Sequence, residues 1–499
     1  MGSSGSDLGY NASQLLDANL DAGRGDRTAV VTPDETVTYA ELGRRVARAG
    51  HLLNALGVHP EQRVLLVLDD TPAFIVLFLA AMRIGAVPVN VNPLDKPENL
   101  AHYVTDTAAV TCFCEPHLED TLRSSGMDRL FTREDLPTQV AGMPEELDPW
   151  PTHRDDAAFW LYSSGSTGLP KGVVHLHHDI RATCDTYAHH ILEISEDDVC
   201  YSTTKLFHAY GLGNALSFPL SVGGTTVLVP GRATPGSALE TVGRFRPTLF
   251  FSVPALYRAM LAEPPGDLGS VRLCVSAAEA LPTSTAERWQ ARYGVEIADG
   301  IGSTEMLHIY CSNRPGATVA GTSGTPVPGY ELKINEDGEL FVRGDSCAAY
   351  YWRQHEKTKR SMQGEWFATG DRYRVTPEGN YAYEGRVDDM FKVGGLWISP
   401  ADMEDCLMGH AAVAEAAVVG VTVDDLSRVQ AFVIVAPGAT EGDELADELR
   451  EWCKSRLRRY EYPHIVAFVD DFPRTVTGKV QRFKLRELAL AAGNVSVAD

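Results

Sequence analysis

One segment of the sequence combines small residues, hydroxyls and a lysine in a pattern suited to binding phosphate. It reads Y-S-S-G-S-T-G-L-P-K-G at 162–172 and overlaps the end of the apolar run 158–163. Glycines and small residues let successive backbone N–H groups point at one anion. The segment is not a Walker A loop, because Pro170 precedes the lysine and Gly172 follows it. We therefore predict a phosphate-binding loop of another kind, rather than a linker rich in Ser and Gly. Its predicted nucleotide-binding residues are Ser163, Ser164, Gly165, Ser166, Thr167, Gly168 and Lys171.

A second segment near the C-terminus, P-R-T-V-T-G-K-V at 473–480, could also supply positive charge. The T-G-K turn places Lys479 at the tip of a loop, where a long stem carries a point charge. A lysine considered alone is most often a solvated surface residue. The flanking residues P-R-T and V-Q-R-F-K-L-R-E favour a functional role for Lys479.

The phosphate-binding segment lies in a region where strand and helix patterns alternate. The run 64–69 is typical of a buried strand, 71–83 of a helix, and 86–93 of the next strand. This alternation predicts parallel sheets with helices on their faces, which is an α/β architecture. The polar segment 115–155 is interpreted as a surface connection. Further buried strands are predicted at 158–163, 225–230, 248–253, 271–276 and 295–299.

The C-terminal part of the sequence has a different pattern. Short strands and turns begin near Gly338, and after Arg386 come further strands and a charged helix at 441–459. That last block could form a small α+β domain of its own. More than one domain is expected, because a single hydrophobic core rarely exceeds roughly 250–300 residues. We predict a large N-terminal domain at 1–387 and a small C-terminal domain at 388–499.

Charge and composition narrow the classes of partner. A formal net charge of −23 argues against nucleic acid or an anionic membrane as a partner. The apolar run 74–82 is too short to span a bilayer, and the N-terminal residues lack the apolar core of a signal peptide. Nine scattered cysteines predict no disulfide framework, which suits the cytoplasm. Cys112 and Cys114 are expected to be half-buried thiols on one face of a strand.

Further motifs follow the phosphate-binding segment in order. They are S-A-A-E-A-L at 276–281, D-G-I-G-S-T-E at 299–305, T-G-D at 369–371 and G-R-V-D-D-M-F-K-V-G-G at 385–395. With these motifs the sequence resembles the acyl-adenylate-forming superfamily of acyl-CoA synthetases, peptide-synthetase adenylation domains and luciferases. The resemblance implies a large N-terminal adenylate-forming domain of stacked α/β subdomains. It also implies a small, mobile α+β C-terminal domain.

Within that superfamily the sequence is most similar to benzoate–CoA ligases. The similarity lies in the segments 205–216, 302–316, 321–332 and 388–400. Two residues depart from the pattern of that group. His208 stands where a second aromatic residue is usual, and Ala278 stands where glycine is usual. The first departure bears on the identity of the acid, and the second on the floor of the adenine site.

The resemblance implies a two-step reaction that uses ATP, Mg²⁺ and coenzyme A. A carboxylate attacks the α-phosphorus of ATP and releases pyrophosphate, and the CoA thiol then displaces AMP from the acyl group. Lys479 is implied to serve the first step. Lys392 is implied to serve the second step after the small domain rotates about the hinge residue Asp388. Gly394 and Gly395 are implied to line the CoA tunnel, where a side chain would block close approach.

Other residues of the motifs are implied to hold the nucleotide and its metal. Glu305 is implied to bind Mg²⁺, and Glu305 and Thr167 are assigned catalytic roles beside the two lysines. Asp371 is implied to accept hydrogen bonds from the ribose hydroxyls, and Arg386 to bind ribose or phosphate. The remaining residues implied to bind ATP or AMP are Ser276, Ala277, Ala278, Glu279, Asp299, Gly300, Ile301, Gly302, Ser303 and Thr304.

The partner implied by the resemblance is a small aryl carboxylic acid. Benzoate or a small substituted benzoate is expected, with anthranilate and hydroxybenzoate as alternatives. Transfer of the aryl group to a separate acyl carrier protein is a further alternative, and a non-catalytic adenylate sensor is disfavoured because the charged motif residues are all present. The protein is expected to be a monomer or a homodimer. The residues expected to line the acyl pocket are His208, Ala209, Tyr210, Leu307, His308 and Ile309.

Overall fold

Two large β-sheets and a smaller C-terminal domain make up a computed structural model of the chain. It describes residues 9–163, 169–393, 396–423, 426–458, 460–474, 480–491 and 496–497. The strands are β1 Thr28–Val31, β2 Thr36–Thr38, β3 Arg63–Val67, β4 Val87–Asn90, β5 Thr111–Cys114, β6 Leu130–Thr132, β7 Ala157–Ser163, β8 Lys171–Leu176, β9 Val199–Ser202, β10 Thr225–Val227, β11 Leu249–Ser252, β12 Leu273–Ser276, β13 Ile297–Gly302, β14 Ile309–Ser312, β15 Thr325–Pro326, β16 Glu331–Ile334, β17 Glu339–Arg343, β18 Tyr350–Tyr351, β19 Met362–Gln363, β20 Trp366–Val375, β21 Tyr381–Arg386, β22 Phe391–Val393, β23 Leu396–Ile398, β24 Val413–Val423, β25 Leu426–Val435, β26 Ile465–Phe468 and β27 Ser496–Val497.

Helices cover the faces of these sheets. The α-helices are α1 Gln14–Asp21, α2 Tyr39–Ala55, α3 Pro72–Arg83, α4 Pro97–Thr107, α5 Glu119–Ser124, α6 Leu136–Gln139, α7 His177–Thr183, α8 Ala209–Leu212, α9 Phe218–Val222, α10 Pro235–Phe245, α11 Pro254–Met260, α12 Thr283–Tyr293, α13 His355–Ser361, α14 Pro400–Met408, α15 Asp443–Arg456 and α16 Arg482–Ala491. Two short 3₁₀ helices, Pro116–Leu118 and Val387–Asp389, and two π-helical turns, Cys184–Ala188 and Gly213–Ser217, complete the set.

The two large sheets are mostly parallel. A seven-stranded sheet has the order β18-β8-β7-β4-β3-β5-β6, and a nine-stranded sheet the order β15-β14-β13-β12-β11-β9-β10-β1-β2. In the first, β8 turns back antiparallel to β7; in the second, β14 turns back antiparallel to β13. Ligands of such sheets bind beyond the carboxyl ends of the parallel strands. The connections that follow β7 and β13 are therefore in position to form a site.

One hydrophobic core joins the two large sheets. It contains Leu66 of β3 from the first sheet and Phe251 of β11 from the second, with α3 contributing to the same cluster. Residues 74–82 of α3 are all buried, which explains why that helix is apolar around its whole circumference. The sequence prediction of a helix at 71–83 is confirmed.

The C-terminal domain has its own sheet and core. Its four strands lie in the order β26-β25-β24-β27, and α14 and α15 supply residues to the core that covers one face of the sheet. Its contacts with the large domain include two polar pairs. In one, Nη2 of Arg258 lies 2.6 Å from Oε1 of Glu415; in the other, the backbone N–H of Thr283 donates to Oδ1 of Asp405 at 3.1 Å. The mixed α/β class, with a large N-terminal and a smaller C-terminal domain, is confirmed.

Three further expectations can be compared with the fold. The predicted surface connection at 115–155 is wrong in part, because β6 pairs with β5 as an edge strand and α5 and α6 flank it. Cys112 and Cys114 lie in one apolar cluster while Phe113 lies in another, as alternation along a strand requires. The prediction that these thiols are half-buried is wrong: both are fully buried, because β5 lies inside the sheet between β3 and β6. Among the described residues, no helix has both the length and the apolar character to cross a membrane.

Candidate active site

The predicted phosphate-binding segment forms the tip of the β7–β8 hairpin. Ser163 at the end of β7 pairs in register with Lys171 at the start of β8. The hydroxyl of Ser163, at the base of the hairpin, is buried and meets no hydrogen-bond partner among the described residues. Five predicted binding residues lie between these two and outside the described residues: Ser164, Gly165, Ser166, Thr167 and Gly168.

Lys171 meets Glu305 where the two large sheets adjoin. Its Nζ lies 3.4 Å from Oε1 of Glu305, and both side chains are largely buried. The hydroxyl of Tyr351 donates to the same carboxylate oxygen at 2.7 Å. The ammonium of Lys171 also lies 4.2 Å from the centre of the Tyr351 ring, within the range of a cation–π contact. A cation, a carboxylate and a phenol thus form one compact cluster.

The charges in this cluster perturb one another. Burial alone would raise the pKa of Glu305, but the charge of Lys171 and the hydrogen bond from Tyr351 hold that pKa below its ordinary value. Burial lowers the pKa of Lys171 to about 8, against the attraction of Glu305 and with repulsion from Lys357. Glu305 is therefore an ionised carboxylate at neutral pH. Lys171 is a cation whose charge is easily lost, which is typical of a site built for an anionic ligand.

Adjacent strands end in unpaired polar groups beside this cluster. Ser276 of β12 and Asp299 of β13 are paired in register and buried. The Ser276 hydroxyl and Oδ1 of Asp299 lack hydrogen-bond partners, and burial raises the pKa of Asp299 well above its ordinary value. Groups of this kind can bind the hydrogen-bonding edge of a base. Ala277 and Glu279 follow β12; Gly300, Ile301 and Gly302 lie within β13, and Ser303 and Thr304 follow it.

Ala278 has an unusual backbone. Its φ is +78°, in the left-handed region that favours glycine. A residue with a Cβ pays about 1–2 kcal/mol there. Ala278 is the residue that departs from the glycine expected from the sequence resemblance, and this backbone conformation would favour glycine there.

Asp371 and Arg386 form an ion pair across two neighbouring strands. They are paired in register between β20 and β21, and Nη1 of Arg386 lies 3.0 Å from Oδ1 of Asp371. The same nitrogen donates to the carbonyl of Thr369 at 3.0 Å. Burial, together with the charges of Asp371 and Glu305, raises the pKa of Tyr310, which places these acids around one buried phenol.

The predicted acyl-pocket residues fall into two segments that meet. His208 precedes α8, and Ala209 and Tyr210 begin it; Leu307, His308 and Ile309 lie in the turn between β13 and β14. The Tyr210 hydroxyl donates to the carbonyl of Val275 at 3.1 Å, and its ring centre lies 5.5 Å from that of His308. Leu307 has a φ of +63°, so the turn that presents His308 is conformationally constrained.

His308 is enclosed by aromatic rings. Its ring centre lies 5.0 Å from that of Tyr187 and 4.4 Å from that of Phe218. Its Nε2 lies 3.1 Å from Oδ1 of Asn214, and burial lowers its pKa to about 3. His308 is therefore a neutral imidazole at physiological pH. The two π-helical turns supply Tyr187 and Asn214, and such turns are frequent at functional sites.

The residues predicted for the second step lie in or next to the C-terminal domain. Asp388 is exposed within the 3₁₀ helix Val387–Asp389, and Lys392 is exposed on β22. Gly394, Gly395 and Lys479 lie outside the described residues.

Three functional residues were not predicted from the sequence. Tyr351 reaches Glu305 only because β18 pairs with β8, and no local pattern marks it. Tyr187 and Asn214 lie in apolar helical segments, where a single polar residue is more often structural. Each becomes significant only through contacts with residues that are distant in the chain.

Comparisons with known proteins agree with this geometry. The AMP-binding enzyme family matches residues 17–352, and the AMP-binding enzyme C-terminal domain matches residues 402–479. The chain belongs to the AMP-binding enzyme family. A benzoate–CoA ligase of Thauera aromatica is 45% identical to this AMP-binding enzyme, covering 96% of each chain.

Two solved structures are also similar to this AMP-binding enzyme. The crystal structure of a benzoate CoA ligase from Burkholderia xenovorans LB400 has a TM-score of 0.90 at 41% identity, covering 96% of this chain and all of that one. The crystal structure of an anthranilate CoA ligase in complex with anthranoyl-AMP has a TM-score of 0.94 at 36% identity, covering 99% of this chain and all of that one.

Proposed function

We propose that this AMP-binding enzyme is an ATP-dependent aryl-acid:CoA ligase that acts on benzoate or a small substituted benzoate. The observation that carries the proposal is the buried cluster of Lys171, Glu305 and Tyr351 at the base of the anion-binding hairpin. It concentrates charge at the junction of two sheets in a protein whose net charge is −23. The similar ligases act on acids of this class, which supports the choice of substrate.

The first step joins two anions, so stabilising charge is the main requirement. A carboxylate oxygen of the aryl acid forms a bond to the α-phosphorus, the bond to the β-phosphate oxygen breaks, and pyrophosphate leaves. Lys171 and the hairpin N–H groups would bind the phosphates. Lys479 would contact the reacting carboxylate and α-phosphate during this step.

The donor set at the cluster fits Mg²⁺. Glu305 is an ionised carboxylate there, and the described residues include no group of three or more His, Cys, Asp or Glu suited to a metal. A metal bound at Glu305 would take its other ligands from phosphate and water, as Mg²⁺ commonly does. Bound there, the ion would neutralise phosphate charge.

The nucleoside would occupy the ends of β12 and β13. The unpaired groups of Ser276 and Asp299 are suited to the edge of adenine, above a floor formed by 277–279. Asp371 would accept from the ribose hydroxyls. Arg386, which now pairs with Asp371, would stay beside the ribose or the phosphate.

The aryl group would lie against Tyr210 and His308, whose ring centres are 5.5 Å apart. Two more rings, Tyr187 and Phe218, enclose His308, so this end of the site is short and flat. Long fatty acids should not fit. An amino or hydroxyl substituent would need a partner, since an unpaired buried polar group costs about 1–3 kcal/mol. His208 and His308 are the nearest candidates to supply it.

In the second step the CoA thiol loses its proton and attacks the acyl carbon, and AMP leaves. We propose that the C-terminal domain, with its boundary at 387/388, rotates about Asp388 between the steps. Rotation would bring Lys392 to the nucleotide, with Gly394 and Gly395 along the path of the pantetheine arm. We also propose, as a lesser alternative, that the acceptor is an acyl carrier protein. The assembly would be a monomer or a homodimer.

A substrate panel tests the proposal. The measurement is kcat/KM, from AMP release, for benzoate, 2-aminobenzoate, 3-hydroxybenzoate, cinnamate and octanoate with free CoA. A benzoate should lead, and octanoate and cinnamate should be poor. A clear preference for either of the last two would overturn the pocket assignment. Loss of a polar-ring preference in His208→Phe would identify His208 as the residue that recognises the substituent.

Two controls separate the alternatives. Holo acyl carrier protein in place of CoA tests the other acceptor. Absence of ATP–pyrophosphate exchange with every acid of the panel would indicate an adenylate sensor instead of a ligase.

A further inference from the structure

A buried histidine links the two large sheets at a point that the reaction described above does not use. His175 lies on β8 and Asp179 on α7, and both side chains are fully buried. Nδ1 of His175 lies 2.7 Å from Oδ2 of Asp179. Its other ring nitrogen, Nε2, lies 2.8 Å from the backbone carbonyl oxygen of Thr304, on the other sheet.

The partners determine where the ring protons are. The Thr304 carbonyl can only accept, so Nε2 must carry a hydrogen. Oδ2 of Asp179 also accepts from the backbone N–H of Leu176 at 3.1 Å, and Nε2 of His178 lies 3.2 Å from Oδ1. His175 is therefore held at both ring nitrogens, by Asp179 of α7 and by Thr304 after β13.

His175 acts at the residue before Glu305. Thr304 also accepts from the backbone N–H of Leu307 at 3.1 Å, so its carbonyl is held from two sides. Positions 171 and 175 lie on the same face of β8, because side chains alternate along a strand. β8 therefore holds the β13–β14 turn twice: Lys171 binds the Glu305 side chain and His175 binds the adjoining main chain.

We propose that His175 and Asp179 are positioning residues that fix Glu305 for the adenylation step. The Phe159 ring stacks on His175 at 5.2 Å between centres and keeps water from that face. The effect on adenylation rests on the proposed function; the contact from His175 to the Thr304 carbonyl does not.

Asp179→Asn is the informative variant. If the amide oxygen replaces Oδ2, it accepts from Nδ1, and Nε2 of the neutral ring then presents a lone pair to the Thr304 carbonyl. If the amide nitrogen replaces Oδ2, the Leu176 N–H faces another donor. Either arrangement breaks one contact that holds the turn.

The expected result is a split between the two half-reactions. Asp179→Asn should lower the rate of adenylation by about 10- to 100-fold, the usual effect of losing a group that orients a metal ligand. It should also raise the Mg²⁺ concentration needed for half-maximal rate. The KM for the aryl acid and thioester formation from synthetic acyl-AMP should stay within about twofold of wild type. Equal loss in both half-reactions would indicate a general structural role and overturn the proposal.

The matched control is His178→Asn. His178 is the neighbouring histidine, lies beside the same aspartate and is partly exposed, and no hydrogen bond joins it to Thr304 among the described residues. It should leave adenylation unchanged. If His178→Asn lowered the adenylation rate as much as Asp179→Asn does, the effect would come from the aspartate alone and not from the Thr304 contact. That result would overturn the proposal.

A second measurement needs no variant. Nitrogen-15 NMR of the wild-type chain, labelled at histidine, should reveal a slowly exchanging ring N–H on Nε2 of His175, the hydrogen that is donated to the Thr304 carbonyl. Absence of such a signal would overturn the proposal even if Asp179→Asn fails to fold. If no acid supports adenylation, the proposed function fails while this signal still tests His175.

Discussion

The junction of the two large sheets differs sharply from the hinge region in how its polar side chains are held. At the junction, Glu305 is buried and bonded to two groups, and the preceding carbonyl is held from the opposite sheet. At the hinge, Asp388 and Lys392 are exposed. Preorganised charge stabilises a transition state without reorganisation cost. We therefore expect the adenylation groups of the large domain to be preformed, and the groups of the small domain to be delivered by motion.

The largest effect should come from Lys479→Ala. Loss of one well-placed stabilising contact costs about 100- to 1,000-fold in rate. We expect that loss in adenylation, measured by ATP–pyrophosphate exchange, with thioester formation from synthetic acyl-AMP spared. Lys392→Ala should impair thioester formation and spare adenylation.

The control for the two lysines is Lys454→Ala. Lys454 is exposed on α15, where its Nζ lies 2.7 Å from Glu451 and 4.7 Å from the ring centre of Tyr462. It should leave both half-reactions unchanged. If Lys479→Ala and Lys392→Ala each impaired both half-reactions equally, the contrast between fixed and delivered groups would be wrong.

The next largest effect should come from restricting the hinge. Asp388→Pro fixes φ at that residue and limits the conformation of the residue before it. Adenylation should persist. Thioester formation should fall by up to about 100-fold, because a small misplacement of a reacting group can lower the rate by that factor. Asp388→Ala, which leaves the backbone free, should retain more thioester activity. Similar losses in both steps would argue against Asp388 as the pivot.

The third prediction concerns the junction of the two large sheets and the dependence of kcat/KM for ATP on pH. Because burial lowers the pKa of Lys171 to about 8, its charge is present below that pH and is lost above it. In ATP–pyrophosphate exchange, kcat/KM for ATP should fall by about tenfold per pH unit above this value. Lys171→Arg keeps its charge and should flatten the profile, whatever its absolute rate. An unchanged slope in that variant would exclude Lys171 as the titrating group.

The smallest effect concerns stability in acid. Burial lowers the pKa of His308 to about 3 from an ordinary value near 6.5. Between those values the unfolded state binds more protons, so the free energy of unfolding falls as pH drops from about 6.5 towards 3. His308→Phe should reduce that slope by up to about 1.4 kcal/mol per pH unit. Urea unfolding at pH 6 and pH 5 measures it. His355→Asn, at an exposed position on α13, should leave the slope unchanged.

How much of the site the sequence could predict depends on how far apart in the chain the interacting residues lie. The strand, the loop and Lys171 are contiguous, and their pattern alone predicted an anion-binding hairpin whose base the structure describes. Tyr351 and His175 act through partners on other strands, so no local pattern marks them. β6 was missed because three residues give too little alternation to identify a strand. The roles of individual site residues stay predictions.

One ion-pair group beside the hinge has a mechanical consequence. Asp389 contacts both Arg482 and Arg486 of α16, and Arg482 also binds Glu404 of α14 at 2.7 Å. α16 begins directly after the segment that ends in Lys479, whereas Lys392 follows Asp389 by three residues. These ion pairs join α14, α16 and the residue after Asp388 into one body, so a rotation about Asp388 would move all of them together. Under the proposed rotation, a group that this body delivers in one step would be carried away in the other, so the two half-reactions could not overlap in time.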